Sequence, residues 1–129
     1  GNIAQISYNG IVLASYLWGY NGKYPIVEAL NTDFATLSRI AESAGFSRGG
    51  ISLIYDDKSL TSLFNSIREN LPEAKITTLK YHWLTGIAEK TDCDGTSTFF
   101  SYDKFGRLDG IKDFNEFFIK KFEYKYRLK

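Results

Sequence analysis

The chain has few of the residues that build disulfide scaffolds and metal sites. Its 129 residues include one cysteine, one histidine and no methionine. A single cysteine forms no internal disulfide, whereas a small secreted scaffold usually carries several. A zinc site needs about four nitrogen, sulfur or oxygen ligands, and this composition does not supply them. We therefore expect no metal, no cofactor and no catalytic residues, and we expect that the chain is not an enzyme.

Two catalytic or metal-binding alternatives deserve a test against the sequence. Cys93 and His82 are eleven residues apart, so neighbouring strands would have to bring them together as a nucleophile and its base. The simpler interpretation is that His82 points outward from a strand and that Cys93 lies in a turn. Asp92, Asp94 and Asp103 do not have the alternating oxygen ligands and closing Glu of a calcium loop. Turn formation by Asx side chains explains these aspartates better.

Long apolar runs and an excess of one charge are also lacking. No segment approaches the 18 to 20 or so apolar residues needed to cross a bilayer. Sixteen basic and fifteen acidic residues leave a net charge of +1. We therefore expect no nucleic-acid partner and no membrane insertion within this segment. The chain starts at Gly1 with neither an initiator methionine nor a signal peptide, so we expect a fragment of a longer protein.

Aromatic residues, by contrast, are abundant. They make up 16% of the chain, as ten Phe, nine Tyr and two Trp. Aromatic side chains favour pleated, half-buried surfaces, which indicates strands. Asn9-Gly10, Asn21-Gly22 and Asp94-Gly95 separate alternating segments in the way that tight hairpin turns do. The pattern predicts eight strands, over residues 3–8, 11–18, 24–30, 75–83, 86–92, 96–102, 107–113 and 117–128.

The middle of the chain has helical periodicity instead. Two apolar stripes recur at spacings of three and four residues, and they predict a pair of helices. The stripes are Phe34, Leu37, Ile40, Ala41 and Ala44, and then Leu60, Leu63, Phe64, Ile67 and Leu71. Thr32 or Asp33 is predicted to cap the start of the first helix, and Gly45 is predicted to end it. Asp57 or Ser59 is predicted to cap the start of the second helix, which is predicted to end before Pro72.

These elements predict one α+β domain over residues 1–129. Strands occupy residues 1–31, the helical hairpin occupies 32–74, and further strands occupy 75–129. The helical hairpin is expected to pack on one face of the sheet, because neither helix can hide its apolar stripe alone. The first strand carries no charge, so its edge is the more open to pairing with another chain. There, Gln5 is expected to point outward, and Ile6 toward the core.

The predicted strands also form a repeat. A shift of 21 residues aligns Thr77 with Thr98 and Tyr81 with Tyr102. In the N-terminal strands, Tyr16, Gly22 and Asn31 are expected to correspond to Tyr102, Gly106 and Asn115. A single hairpin is only marginally stable, so units of about 21 residues are expected to stack edge to edge. The fold expected is an antiparallel β-hairpin meander.

The segment 100–108 carries a more specific pattern. Tyr102, Asp103, Gly106, Arg107 and Leu108 resemble the signature of the YD-repeat, or Rhs-type, proteins, in which Tyr-Asp precedes Gly-Arg-Leu. Residues 16–26 resemble the segment that precedes a helical insert in bacterial cell-surface members. The Tyr-Asp pair is complete in only one unit, since His82 follows Tyr81.

That resemblance implies a YD-type meander and a non-catalytic structural or interaction module from a larger bacterial surface protein. The implied partners are neighbouring repeats of the parent chain, and the implied location is the cell surface or outside the cell. One alternative is a carbohydrate-binding module that stacks sugars on exposed Trp18, Tyr20 and Tyr24, so glycans or another protein are possible partners. Against this, Tyr16 and Trp18 share one strand face, and that face is expected to cover the helices. A third alternative is part of a toxin-enclosing shell.

Overall fold

The chain forms one antiparallel sheet with two helices inserted between its third and fourth strands. The computed structural model describes residues 2–46, 56–82, 85–113 and 118–121. Within them the sheet has eight strands, and the order across the sheet follows the order along the chain. The elements are β1 (Gln5–Tyr8), β2 (Ile11–Gly19), β3 (Tyr24–Leu30), α1 (Phe34–Ser43), α2 (Asp57–Asn70), β4 (Lys75–His82), β5 (Gly86–Thr91), β6 (Ser97–Tyr102), β7 (Leu108–Asp113) and β8 (Phe118–Lys121). The predicted α+β architecture is confirmed.

The predicted strand bounds agree with these strands to within two residues wherever the structure describes them. The sheet also continues across the helical insert, because β3 pairs directly with β4 through Leu30 and Lys75. The predictions for Trp83, for Asn115 of the repeat and for residues 117 and 122–128 of the last strand lie outside the described residues, as does most of the connection between the two helices. No helix in the described ranges is long and apolar enough to cross a bilayer.

Two turns depend on left-handed backbone conformations. Asn9 and Gly10 have φ values of 51° and 78°, as the predicted type I′ turn requires. In the second turn, Tyr20, Asn21 and Gly22 have φ values of 54°, 61° and 75°. A bulky residue at positive φ is strained, and the sequence did not predict it at Tyr20. The ring of Tyr20 is 5% exposed, so burial of the side chain offsets the strain.

Aspartates cap both helices. Asp33 Oδ1 accepts a hydrogen bond from Thr36 N at 2.7 Å, which selects Asp33 over Thr32 as the first cap. Asp56 Oδ2 accepts one from Ser59 N at 2.8 Å, so the prediction of Asp57 or Ser59 as the second cap is wrong. Asp56 has the extended backbone of a cap, while Asp57 already lies in the first turn.

Helix ends follow the predicted residues. Gly45, with φ of 94°, follows the last turn of α1. α2 ends at Asn70, and its C-cap is Leu71, the residue before Pro72. A residue that precedes proline is disfavoured in helical conformation, so the proline sets this boundary.

The core lies between the helices and the first half of the sheet. Cross-strand pairing puts Leu17, Val27 and Thr78 in one row, and Leu17 and Val27 pack with the apolar stripes of both helices. Tyr16 and Trp18 occupy the alternate positions of β2 and are not part of that core. The expectation that Tyr16 and Trp18 cover the helices is therefore wrong, because the strand alternation directs Leu17 to them instead.

The β1 edge also differs from expectation. Gln5 does not point freely to solvent, since its Oε1 accepts a 2.8 Å hydrogen bond from Phe34 N at the start of α1. Ile6 was expected to face the core, yet 40% of it is exposed. Gln5 pairs with Ser15, which is buried, while Ile6 lies on the opposite face. The polar residue thus contributes to helix capping, and the apolar residue is left at the edge of the sheet.

Phe64 provides a test of this packing. Its side chain is 4% exposed within the core, so Phe64→Ala should lower the free energy of unfolding by roughly 3 to 5 kcal/mol. Phe105 is 63% exposed, and Phe105→Ala is the matched control, with an expected loss below about 1 kcal/mol. Urea unfolding of the two variants measures both values. Equal losses would contradict docking of α2 on the sheet.

Candidate functional site

Three tyrosines from separate strands and turns meet beside the core. Tyr20 contacts Tyr24 and Tyr81 edge-on, with ring centroids 5.9 and 5.3 Å apart. Tyr24 stacks on Tyr81 with centroids 4.5 Å apart and planes 16° from parallel. Aromatic pairs at these separations stabilise a fold beyond the area that they bury. Two of the three residues predicted to bind sugars are thus engaged with protein rings, and buried Tyr20 has no face to offer a sugar.

Hydrogen bonds fix the same cluster. Tyr20 Oη accepts a 2.9 Å bond from Tyr81 N, and Tyr81 Oη donates to Pro25 O at 2.7 Å. Burial raises the pKa of Tyr81 to about 12, and the neighbouring Tyr20 and Tyr24 add to the rise. Burial also raises the pKa of Tyr20, although its bond from the Tyr81 amide opposes the shift. The phenols of Tyr20 and Tyr81 are therefore neutral and internally hydrogen-bonded at physiological pH.

Trp18, the third predicted sugar-binding residue, is half-buried and also bonded internally. Its indole Nε1 donates to Ile3 O at 2.8 Å. This bond belongs to a pattern that three strands share: the aromatic residue just after a β-bulge donates to a carbonyl at or near the start of the preceding strand. The pairs are Trp18 with Ile3, Tyr81 with Pro25, and Tyr102 with Ile87 at 2.8 Å. We call Trp18, Tyr81 and Tyr102 the clamp residues.

The clamp changes the predicted repeat alignment. Trp18 corresponds to Tyr102 because both follow a bulge and both donate to the strand before them. The glycines Gly22 and Gly106 keep this spacing and have φ values of 75° and 77°. The predicted correspondence of Tyr16 with Tyr102 is therefore wrong by two residues. Tyr16 lies before the bulge, where it pairs with Glu28.

The Tyr-Asp motif builds the turn after β6. Asp103 Oδ1 accepts from the amides of Phe105 and Arg107 at 2.9 and 3.0 Å, and its Oδ2 accepts from Arg107 Nε at 2.9 Å. Gly106 takes the left-handed conformation, and Leu108 pairs with Tyr102 to begin the returning strand. Desolvation opposes ionisation of Asp103, but the bonds from Arg107 and Phe105 prevail and lower its pKa. Each motif residue thus has a structural contact in the hairpin.

The turn before β6 repeats this backbone. Asp92 N donates to Thr96 O and Gly95 N donates to Asp92 O, both at 2.9 Å, as the corresponding atoms of Asp103, Gly106 and Arg107 do. Asp94 Oδ1 accepts from Thr96 N at 2.9 Å. Asp92, Asp94 and Asp103 therefore form turns, and no cluster of three potential metal ligands occurs among the described residues.

Cys93 and His82 lie at opposite ends of β5. Cys93 is exposed in the turn that follows β5, while His82 pairs with Gly86 at its start. A strand of this length spans about 20 Å. His82 instead packs edge-on against the Tyr102 ring, with its Nε2 3.3 Å from Phe100 O. The structure does not bring the two together as a nucleophile and base.

A polar cleft lies where α2 meets the uncovered half of the sheet. Its volume is about 300 Å³, and α2 supplies Thr61, Asn65 and Arg68 to its wall. The floor consists of residues on β4, β5 and β6, namely Thr78, Lys80, Glu89, Thr91 and Ser97. The sequence analysis did not single out Arg68. The sequence signal that could have identified it is the spacing i, i+4, i+7 of Thr61, Asn65 and Arg68, which places three polar side chains on one face of α2 beside its apolar stripe.

Comparison of the chain with protein-family models, with curated proteins and with solved structures finds no significant match. The resemblance to YD-repeat proteins therefore stays a prediction, and the functional argument depends on the geometry described above.

Tyr81 gives this cluster a measurable pH dependence. The phenol has an ordinary pKa of 10.0 and a folded-state pKa of about 12, so the folded chain retains a proton that the unfolded chain loses between these values. Stability should be insensitive to this group below pH 10 and should fall as the pH rises from 10 to 12. Tyr81→Phe should make that fall shallower. Urea melts at pH 9 and 11 measure it, and an equal slope in the variant would contradict burial of this phenol.

Substitution of Gly86 tests the hydrogen bond of the clamp residue Tyr102 to Ile87 O. A Cβ at position 86 would lie 2.6 Å from Tyr102 Oη, so Gly86→Ala must displace the clamp hydroxyl. We expect a loss of about 1 to 3 kcal/mol in the free energy of unfolding. In the Tyr102→Phe background the 2.6 Å contact with the hydroxyl disappears and the closest remaining contact is 3.3 Å, to Cζ of the ring, so the same substitution should cost less. Equal costs in both backgrounds, measured in a double-mutant cycle, would contradict the clamp.

Proposed function

We propose that this chain is a non-catalytic structural module that builds a β-sheet with neighbouring hairpin repeats of a larger protein. The observation that carries the proposal is the clamp, because each clamp residue joins its own strand to the strand before it. A further repeat that forms this hydrogen bond can be added at the edge of the sheet without altering the repeats already present. Arrays of hairpins that contact only their neighbours follow this principle.

The β1 edge supports the same proposal. β1 pairs with β2 alone among the described strands, so its other side offers unpaired backbone groups. Ile3, Ile6, Tyr8, Ile11 and Leu13 are exposed on this hairpin and the segment before it. Apolar, uncharged edge strands pair readily with another strand. A preceding repeat is the partner that we propose for this edge.

We further propose that the parent protein is a YD-repeat protein of the bacterial cell surface. The contacts of Tyr102, Asp103, Gly106, Arg107 and Leu108 support this, because the motif residues are those that the hairpin uses. The toxin-enclosing shell is a variant of the same proposal and requires many more repeats than one such chain holds. The carbohydrate-binding alternative gains no support from Trp18, Tyr20 and Tyr24, whose polar tips or rings are engaged within the protein.

An association experiment tests the open edge. In the isolated chain, a second copy is the nearest available substitute for a neighbouring repeat. Sedimentation velocity should show self-association that increases with protein concentration, and Ile6→Lys should reduce it, because a charge on an edge strand discourages pairing. Ile6 is 40% exposed, so this variant should melt as the parent chain does.

Phe105→Lys is the matched control, since it also replaces an exposed apolar residue by lysine but lies in the turn after β6. It should leave the association unchanged. A chain that is monomeric at every concentration, or an association that is indifferent to Ile6→Lys, would contradict an edge open to neighbouring repeats.

A further inference from the structure

The polar cleft has a floor made of two cross-strand rows. In one row Thr78 pairs with Thr91, which pairs with Ser97, so three hydroxyl-bearing side chains lie side by side. Thr91 Oγ1 and Ser97 Oγ are 2.7 Å apart and hydrogen-bonded. In the other row Lys80 pairs with Glu89, which pairs with Phe99. The floor therefore offers hydroxyl donors and acceptors beside the ion pair of Lys80 and Glu89.

Arg68 extends from α2 over the hydroxyl row. Its Nη2 donates to Thr78 Oγ1 at 3.0 Å and to Thr91 O at 3.2 Å. Within the part of the chain that the structure describes, its Nε and Nη1 donors have no protein acceptor and no carboxylate lies within 4.0 Å of the guanidinium. Burial lowers the pKa of Arg68, while the more distant Glu89 opposes that effect. A desolvated cation without an ion-pair partner is unfavourable, and an anion in the cleft would relieve this cost.

The other charges of the cleft limit what that anion can be. Lys80 Nζ lies 2.6 Å from Asp57 Oδ1 and 3.5 Å from Glu89 Oε2, so each of these carboxylates already has Lys80 as its counter-ion. Arg68 and Lys80 carry two positive charges and Asp57 and Glu89 carry two negative charges, so a bound monoanion would leave one net negative charge here and a dianion would leave two. A monoanion placed on Arg68 and away from Glu89 fits this balance better than phosphate or sulfate does. The Nε and Nη1 donors of the guanidinium can each form a charge-assisted hydrogen bond to a carboxylate oxygen.

We propose that the cleft between α2 and strands β4 to β6 binds a small hydroxylated monocarboxylate, with the carboxylate on Arg68 and the hydroxyls on the row formed by Thr78, Thr91 and Ser97. A volume of about 300 Å³ is in the range of pockets that hold small ligands. A uronic acid sugar and a simple hydroxy acid share this chemistry. Asn65, on the exposed side of α2, lines the cleft and is placed to bond a further ligand hydroxyl.

The two ligand sources can be separated by titration. Chemical-shift changes of the 129-residue chain, including the Arg68 Nε–H resonance, are followed on addition of glucuronate, lactate or glucose. Glucuronate should bind with a Kd below about 10 mM, whereas glucose, which has a hydroxymethyl group in place of the carboxylate, should not saturate. Lactate binding as tight as glucuronate binding would assign the site to simple hydroxy acids, and preference for glucuronate would assign it to uronic acid sugars. Saturable binding of glucose would overturn the proposal.

Substitutions then test which side chains of the cleft contact the ligand. Arg68→Gln should weaken glucuronate binding by at least about tenfold, because a charge-assisted hydrogen bond is lost. Arg39→Gln, on the exposed face of α1, is the matched control and should bind as the parent chain does. Glu89→Gln should tighten binding several-fold, since it removes a negative charge from the cleft. Weaker binding in Glu89→Gln, or unchanged binding in Arg68→Gln, would overturn the electrostatic basis.

A second pair of variants covers the case in which Arg68→Gln fails to fold, because Arg68 also joins α2 to the sheet. Asn65→Glu introduces a carboxylate one helical turn from Arg68 without touching the core, and it should compete with the ligand and abolish saturable shifts. Ser62→Glu adds the same charge to an exposed position of α2 that does not line the cleft, and it should preserve binding. Equal effects of the two variants, or no saturable shift with any carboxylate, would overturn the assignment.

Discussion

The hydrogen bond from each clamp residue to the preceding strand is the interaction on which the sheet depends. Neighbouring strands of a meander are held together chiefly by the backbone ladder, and an isolated two-stranded hairpin is marginally stable. Trp18, Tyr81 and Tyr102 each add a side chain that crosses to the neighbouring strand and satisfies a carbonyl there. A β-bulge lies beside each clamp residue, with its extra residue on the following strand, and bulges increase the local twist of a sheet.

The middle clamp also connects the two halves of the sheet across the helical insert. Tyr81 on β4 bonds to Pro25 on β3, and its amide holds the hydroxyl of Tyr20. Tyr20 in turn occupies a left-handed backbone conformation that an aromatic residue adopts only when its surroundings require it. The strained turn, the clamp and the edge of the core therefore stabilise one another. These contacts support the register of β3 against β4 in addition to the backbone pairing.

Local signals in the sequence were sufficient for the elements but not for these long-range contacts. The turn at Asn9-Gly10 is predictable because the turn type depends on only these two residues. The helix α2 is predictable because the apolar stripe that includes Leu60 and Phe64 repeats along one short segment. A bulge arises from the pairing of two strands, so the alternation of β2 alone could not show that Trp18 rather than Tyr16 corresponds to Tyr102. Gln5 was assigned to solvent because its acceptor role depends on Phe34, which is distant in sequence.

The position of the polar cleft follows from a mismatch between the helices and the sheet. Eight strands spaced about 4.8 Å apart extend over roughly 34 Å, whereas two packed helices cover only about 20 Å. α1 and α2 pack chiefly on β2 and β4, so their apolar stripes are used over the first half of the sheet. At the boundary, side chains are half-covered and cannot be wholly apolar without exposing hydrophobic surface. The chain places hydroxyls, an ion pair and Arg68 there, and β4, β5 and β6 become the floor of a recess with the chemistry of a binding site.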